Sequence, residues 1–222
     1  MTAFDPSAAA APDSGIFGLP HREQEAAVVL LPVPFAATVS YGGGAENGPD
    51  AILEASRQVD LYDLQFGRVY EQGIHLRQAP AELRAGHDEA RALCAPIVAR
   101  GGATSADRAA VSRIDALGDR VNRATMAAAR EVLAQDKVIG ILGGDHSVPF
   151  GAIAAAAERH PGLGILHFDA HADLRVAYEG LRWSHASIMH NVMAEVAGVA
   201  RLVQLGIRDF SEDEFAAIRD SG

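Results

Sequence analysis

The chain has 222 residues, 49% hydrophobic and 22% charged, which is the balance of a globular domain with a buried core. Its formal net charge is −10, which argues against a nucleic-acid partner and suits a small cationic one, although solubility alone would also explain it. No apolar run reaches membrane-spanning length, and the N-terminus lacks the basic segment of a secretory signal. The single cysteine, Cys94, excludes an internal disulfide framework and indicates a cytoplasmic protein.

Residues 1–24 are rich in Ala, Pro, Ser and Gly without a steady period, and we interpret them as a mobile N-terminal arm. Residues 25–222 are predicted to form one α/β domain, because strand patterns alternate with helix patterns. The predicted strands cover residues 26–31, which Pro32 and Pro34 would end, 137–142, 162–166 and 201–206. The predicted helices cover residues 50–59, 86–100, 119–134, 148–159 and 186–197, with a last helix from Ser211 that Glu214 would cap.

The strongest chemical signal lies at the end of the third predicted strand. Asp169, His171 and Asp173 occupy alternate positions there, after an apolar run. Side chains two apart on an extended chain point the same way, so two carboxylates and an imidazole would converge. Two carboxylates in a dry pocket repel each other, and a divalent cation removes that penalty. The pattern therefore predicts a metal site, with a strand-end turn of solvated acids as the alternative.

A second segment, Gly143–Ser147, places His146 between a strand and a helix. The carboxyl ends of parallel strands meet at one edge of a sheet, so we expect the His146 ring to lie close to the carboxylates of Asp169 and Asp173. Mixed imidazole and carboxylate ligands suit Mn²⁺, with Fe²⁺, Co²⁺ or Zn²⁺ possible, and the number of acids indicates two ions. Asp145 is predicted to orient a metal ligand without binding the metal itself. His167 is predicted to point away from the metals.

One further histidine follows the acid cluster at a short distance. It is His185, in the segment Trp183–Ser187, and histidine as a residue type is suited to transferring protons near neutral pH. A surface or helix-capping histidine is the alternative on local sequence alone.

These segments resemble a known family. Gly143–Ser147 and Asp169–Asp173 are similar to the first two signatures of the ureohydrolases, which are the binuclear-manganese arginase, agmatinase and formimidoylglutamase enzymes. The resemblance covers nearly all of residues 26–210. It implies a three-layer α/β/α fold with a mostly parallel sheet, two Mn²⁺ ions per complete subunit, and a homo-oligomer of three or six subunits. The implied reaction is attack of a metal-bridging hydroxide on a guanidinium carbon, with release of urea.

The resemblance also implies roles for single residues. His146 and Asp173 would serve one metal, Asp169 would bridge, and His171 would serve the other. His185 matches the family histidine that handles protons, so His185 and Asp173 are the predicted catalytic residues.

Substrate choice is inferred from the loops around the metals. Arginases carry Asn at the positions of Arg175 and Trp183 and an acid at Ser211, and these three departures argue against arginine. The predicted substrate-binding residues are Arg175, Trp183, Ser211 and Asp209. We therefore expect agmatine, cleaved to urea and putrescine for polyamine biosynthesis. Arg175 and Arg182 leave guanidinobutyrate open as a substrate, because an Arg fork would bind its carboxylate. Arginine and formiminoglutamate are further alternatives.

The third ureohydrolase signature, S-x-D-x-D, has no counterpart in this sequence. It supplies two more aspartate ligands, so we expect a C-terminally incomplete domain that lacks the last elements of its sheet and binds metal weakly. Two alternative hypotheses from other functional classes follow. One is a non-catalytic remnant that associates with complete subunits, and the other is a metal-free α/β binding domain.

Overall fold

The structure is a computed structural model and describes residues 4–221. The strands of this part are β1 (Val28–Val33), β2 (Ile74–Leu76), β3 (Val138–Gly143), β4 (Leu163–Phe168) and β5 (Val199–Leu205). The helices are α1 (Gly48–Ser56), α2 (Ala81–Ala99), α3 (Arg108–Leu133), α4 (Phe150–Arg159), α5 (Ile188–Glu195) and α6 (Glu212–Ser221). None of these helices is both long enough and apolar enough to cross a bilayer. The predicted alternation of strands and helices is confirmed.

The strands pair in parallel and form two sheets. One has the order β2-β1-β3, and the other joins β4 to β5. The predicted strand direction is confirmed, but within residues 4–221 no ladder connects β3 to β4. The polar side chains that follow β3 and β4 nevertheless lie close together, because both strands run the same way and end at the same side of the molecule.

Pro32 lies inside β1, so the prediction that it ends the strand was wrong. Val28 donates its N–H to the carbonyl of Gly73, which directly precedes β2, and alternation turns the nitrogen of Pro32 toward the same side. β2 ends at Leu76, before it reaches the level of Pro32. The N–H that proline lacks therefore has no strand partner to lose.

The predicted N-terminal arm differs from the structure in its second half. Ile16 and Leu19 are only 1% and 2% exposed, and the Arg57 guanidinium donates to the Ser14 carbonyl at 2.7 Å. Residues 14–19 therefore pack onto the domain near α1, since burying two large aliphatic side chains outweighs the freedom of a loose arm. Residues 1–3 lie outside the described part.

α2 and α3 pack against each other over a core that includes Cys94, which is fully buried. Burial raises the pKa of the Cys94 thiol to about 12, because a thiolate there would lose its hydration. We expect the native protein to resist modification by a thiol-reactive disulfide reagent. In guanidinium chloride, one thiol per chain should react. Rapid reaction of the native protein would contradict this packing of α2.

Candidate metal centre

Four acid and imidazole side chains meet at the carboxyl ends of β3 and β4, namely His146, His167, Asp169 and Asp173. Each offers one ligand atom, and these atoms all lie within 4.8 Å of one another. Ligands on opposite sides of a hard divalent ion lie about 4 to 5 Å apart, so this donor set fits a metal ion. His146 Nδ1 lies 2.5 Å from Asp173 Oδ2 and 3.5 Å from Asp169 Oδ2. The expected proximity of His146 to both carboxylates is therefore found.

The backbone after β3 is held against the end of β1. Gly144 donates its N–H to Val33, and Asp145 donates its N–H to Phe35 at 3.0 Å. A Cβ at Gly144 would lie 1.9 Å from the Phe35 carbonyl oxygen, so only glycine fits this close approach. The contact places His146 opposite Asp173, which has the left-handed φ of 53°.

His167 belongs to the cluster, so the prediction that it points away was wrong. It precedes Asp169 by two residues and therefore lies on the same face of the strand. Its Nδ1 lies 2.9 Å from Gln204 Nε2, which also donates to the Ala172 carbonyl. An amide nitrogen only donates, so Nδ1 accepts and the ring proton is on Nε2, 3.3 Å from Asp169 Oδ2. His167 thus supports the Asp169 carboxylate by donating to it.

His171 lies outside this group of four. Its side chain is 60% exposed, with Nδ1 3.5 Å from Asp169 Oδ1 and Nε2 3.6 Å from Asp209 Oδ2. The His171 N–H also donates to Asp169 Oδ1 at 2.9 Å. His171 and His146 therefore face different oxygens of Asp169, and a ligand role for His171 stays a prediction.

Asp145 is buried and accepts hydrogen bonds from the backbone and hydroxyl of both Ser147 and Thr38. It fixes the loop that carries His146 and makes no hydrogen bond to the His146 ring among the described contacts. His185 reaches this network through Thr38, whose Oγ1 lies 3.1 Å from His185 Nδ1. The sequence pattern did not predict this role for Thr38.

The predicted substrate-binding residues make contacts that hold the chain together. Arg175 Nε lies 3.4 Å from Glu214, and Ser211 caps α6 through the predicted capping box with Glu214. Trp183 is 7% exposed and donates from Nε1 to Asp119 at 2.8 Å. Substrate contacts for these residues, and for the exposed Asp209, stay a prediction.

The pKa values of the two imidazoles in the cluster shift in opposite directions. Burial alone would lower the pKa of His146, but the hydrogen bond and charge of Asp173 and the charge of Asp169 raise it above its ordinary value. Burial, with the nearby His146, lowers the pKa of His167. Burial opposes ionisation of Asp169, yet the His171 N–H and the charge of His146 lower its pKa overall. The hydrogen bond and charges around His146 therefore favour the protonated form of its ring.

Divalent-metal binding should tighten as pH rises, because a metal ion must displace the proton that the raised pKa keeps on His146. Below that pKa, the affinity should rise about tenfold per pH unit for one displaced proton. Calorimetric Mn²⁺ titrations between about pH 6 and pH 8, in buffers of different ionisation enthalpy, measure both affinity and proton release. His160→Gln, at an exposed position, should keep the same slope. Affinity that does not change with pH would contradict this account.

Comparison with known proteins places the chain in a family. The sequence model that describes the Arginase family matches residues 26–222 of this chain. The chain belongs to the arginase family. This match extends across the whole described α/β domain, including the segments that carry the cluster.

Several family members resemble the chain. The N(1)-aminopropylagmatine ureohydrolase of Thermus thermophilus is 32% identical over 200 residues, which are 90% of this chain and 57% of that protein. The agmatinase of Bacillus cereus is 28% identical over 199 residues, covering 90% and 58%. The solved arginase structure from Medicago truncatula superposes with a TM-score of 0.60 at 27% identity, covering 88% of this chain and 54% of that one. The predicted arginase-like α/β fold is confirmed, and the chain spans a little over half the length of these relatives.

Proposed function

We propose that this arginase-family chain hydrolyses a guanidino compound with the help of two divalent ions, Mn²⁺ being the expected metal. The observation that carries the proposal is the convergence of His146, Asp169 and Asp173 within reach of one ion at the strand ends. When bound, such ions supply a nucleophile derived from water at neutral pH and polarise the substrate.

The residues of the chain would divide the work as follows. His146 and Asp173 would hold one ion, and His171 would help to hold the other. Asp169 would contribute to both, since its Oδ2 faces His146 and its Oδ1 faces His171. His185 moves the proton that the leaving amine requires. Loss of that proton transfer would cost about 100-fold or more in rate.

Agmatine is the proposed substrate, with urea and putrescine as products. The net charge of −10 favours a cationic molecule, and the exposed carboxylate of Asp209 lies beside His171, where it would attract one. N(1)-aminopropylagmatine is a second candidate, because the relative from Thermus thermophilus is named for it. Arg175, Trp183 and Ser211 are proposed as further residues that select the substrate. A homo-oligomeric, cytoplasmic enzyme is part of the same proposal.

A substrate panel tests the proposal on the full chain loaded with Mn²⁺. Urea release from agmatine, N(1)-aminopropylagmatine, arginine and guanidinobutyrate is measured beside formamide release from formiminoglutamate. Chelator-sensitive urea release, fastest with agmatine, is the expected result. Faster cleavage of arginine or formiminoglutamate would overturn the substrate assignment. Metal binding without any turnover would favour the non-catalytic remnant, and no metal binding would favour a plain binding domain.

A further inference from the structure

Thr38 lies at a junction of three segments around the candidate centre. Its side chain is 2% exposed, and its Oγ1 lies 3.1 Å from Asp145 Oδ2 and 3.1 Å from His185 Nδ1. The same oxygen accepts the backbone N–H of His185 at 3.0 Å. One hydroxyl group therefore connects the loop after β1, the loop that carries His146, and the segment that carries His185.

The Asp145 carboxylate acts only as an acceptor in this network. Its Oδ1 accepts from the backbone and hydroxyl of Ser147 at 3.0 and 2.5 Å, and its Oδ2 accepts from the backbone of Thr38 at 3.2 Å. A hydrogen bond to a carboxylate is stronger than one to a neutral acceptor. The single proton of the Thr38 hydroxyl is therefore directed to Asp145.

The orientation of that hydroxyl determines which nitrogen of His185 carries the proton. With its proton on the Asp145 side, Thr38 Oγ1 presents only lone pairs to the imidazole. His185 Nδ1 must then be the donor, so a neutral His185 has its proton on Nδ1. The other nitrogen, Nε2, makes no hydrogen bond to any residue in the described range of 4–221.

We propose that Thr38 is a positioning residue that fixes His185 in the Nδ1–H tautomer, so that Nε2 is the nitrogen that exchanges protons. The tautomer itself does not depend on the proposed function. The inference rests on that function only for the reaction in which His185 exchanges protons. A ring held by Thr38 through Nδ1 is oriented before substrate binds, which is what a proton-transfer residue needs.

Nitrogen-15 NMR of histidine-labelled protein measures the tautomer without any need for turnover. Spectra are recorded at about pH 9, where imidazoles are neutral. His185→Gln identifies the His185 signals among those of the nine histidines. The wild-type chain should show a protonated Nδ1 and an unprotonated Nε2. Thr38→Ser keeps the hydroxyl and should keep this pattern, whereas Thr38→Val removes the acceptor and should shift His185 toward the Nε2–H tautomer that free histidine prefers.

The wild-type spectrum alone is decisive if Thr38→Val does not fold, since an Nε2–H form of His185 would overturn the inference. An unchanged Nδ1–H form in folded Thr38→Val would also overturn it. With the guanidino substrate, Thr38→Val should lower kcat by about 10- to 100-fold with little change in KM. Thr38→Ser should keep kcat close to the wild-type value. A chain without turnover but with the expected tautomers would refute the proposed function and leave the inference standing.

Discussion

Replacing Asp173 with Asn should weaken Mn²⁺ binding by about 100-fold or more and leave the fold intact. Mutation of groups that only orient a ligand already costs about 10- to 100-fold in metal affinity, and Asp173 is placed to bind the metal itself. Its carboxylate is 6% exposed and lies 2.5 Å from His146 Nδ1. Asparagine has the same shape and also tolerates the φ of 53° found here, so the substitution removes the charge without straining the backbone.

Calorimetric titration with Mn²⁺ measures the loss of affinity, and thermal unfolding in the presence of a chelator checks the fold. The matched control is Asp213→Asn, which removes a carboxylate from an exposed position of α6. It should bind Mn²⁺ as the wild type does. Wild-type affinity in Asp173→Asn would show that the metal does not depend on this carboxylate, and the proposed centre would be wrong.

The meeting of His146 with Asp169 and Asp173 could be predicted because it depends on two general rules. Side chains alternate along a strand, and parallel strands end at one side of a domain. Both rules need only the sequence pattern. The structure adds the distances, which place one imidazole between two carboxylates.

The contacts that hold these residues in place could not be predicted, because they join parts of the chain that are distant in sequence. Gln204 contacts His167 only because β4 and β5 pair in a register that sets these two residues side by side. Thr38 reaches Asp145 across 107 positions of sequence. No local pattern encodes either contact. The position of His167 itself does follow from alternation, because residues 167 and 169 lie on the same face of a strand.

Some elements of the fold gave too little signal for prediction. β2 has three residues, which is too short for alternation to be recognised. α3 begins at Arg108 instead of near residue 119, because Thr104 caps the short turn of residues 105–107 that leads into it. The division into two sheets depends on which strand edges meet, and hydrophobic patterning does not specify strand order.

Gly144→Ala should destabilise the chain by about 3 kcal/mol, at the upper end of what overpacking costs, and should weaken Mn²⁺ binding as well. The added Cβ would lie 1.9 Å from the carbonyl oxygen and 2.4 Å from the carbonyl carbon of Phe35. Both atoms are backbone, so no rotamer change relieves the clash. The loop that carries His146 must therefore move away from the end of β1, and the ligand cluster must open with it.

Gly164→Ala is the matched control, because a Cβ at that position in β4 meets nothing within 4 Å. It should be neutral or should stabilise the chain by up to about 1 kcal/mol, since alanine reduces the entropy of the unfolded state. Urea denaturation with a chelator present measures the stability of both variants, and Mn²⁺ titration measures the cluster. If Gly144→Ala unfolded at the same urea concentration as Gly164→Ala and also bound Mn²⁺ equally well, the close approach of the two strand ends would be refuted. Normal stability with weakened Mn²⁺ binding would instead show that the loop moves at little cost, so that the β1 contact positions His146 without contributing to the stability of the domain.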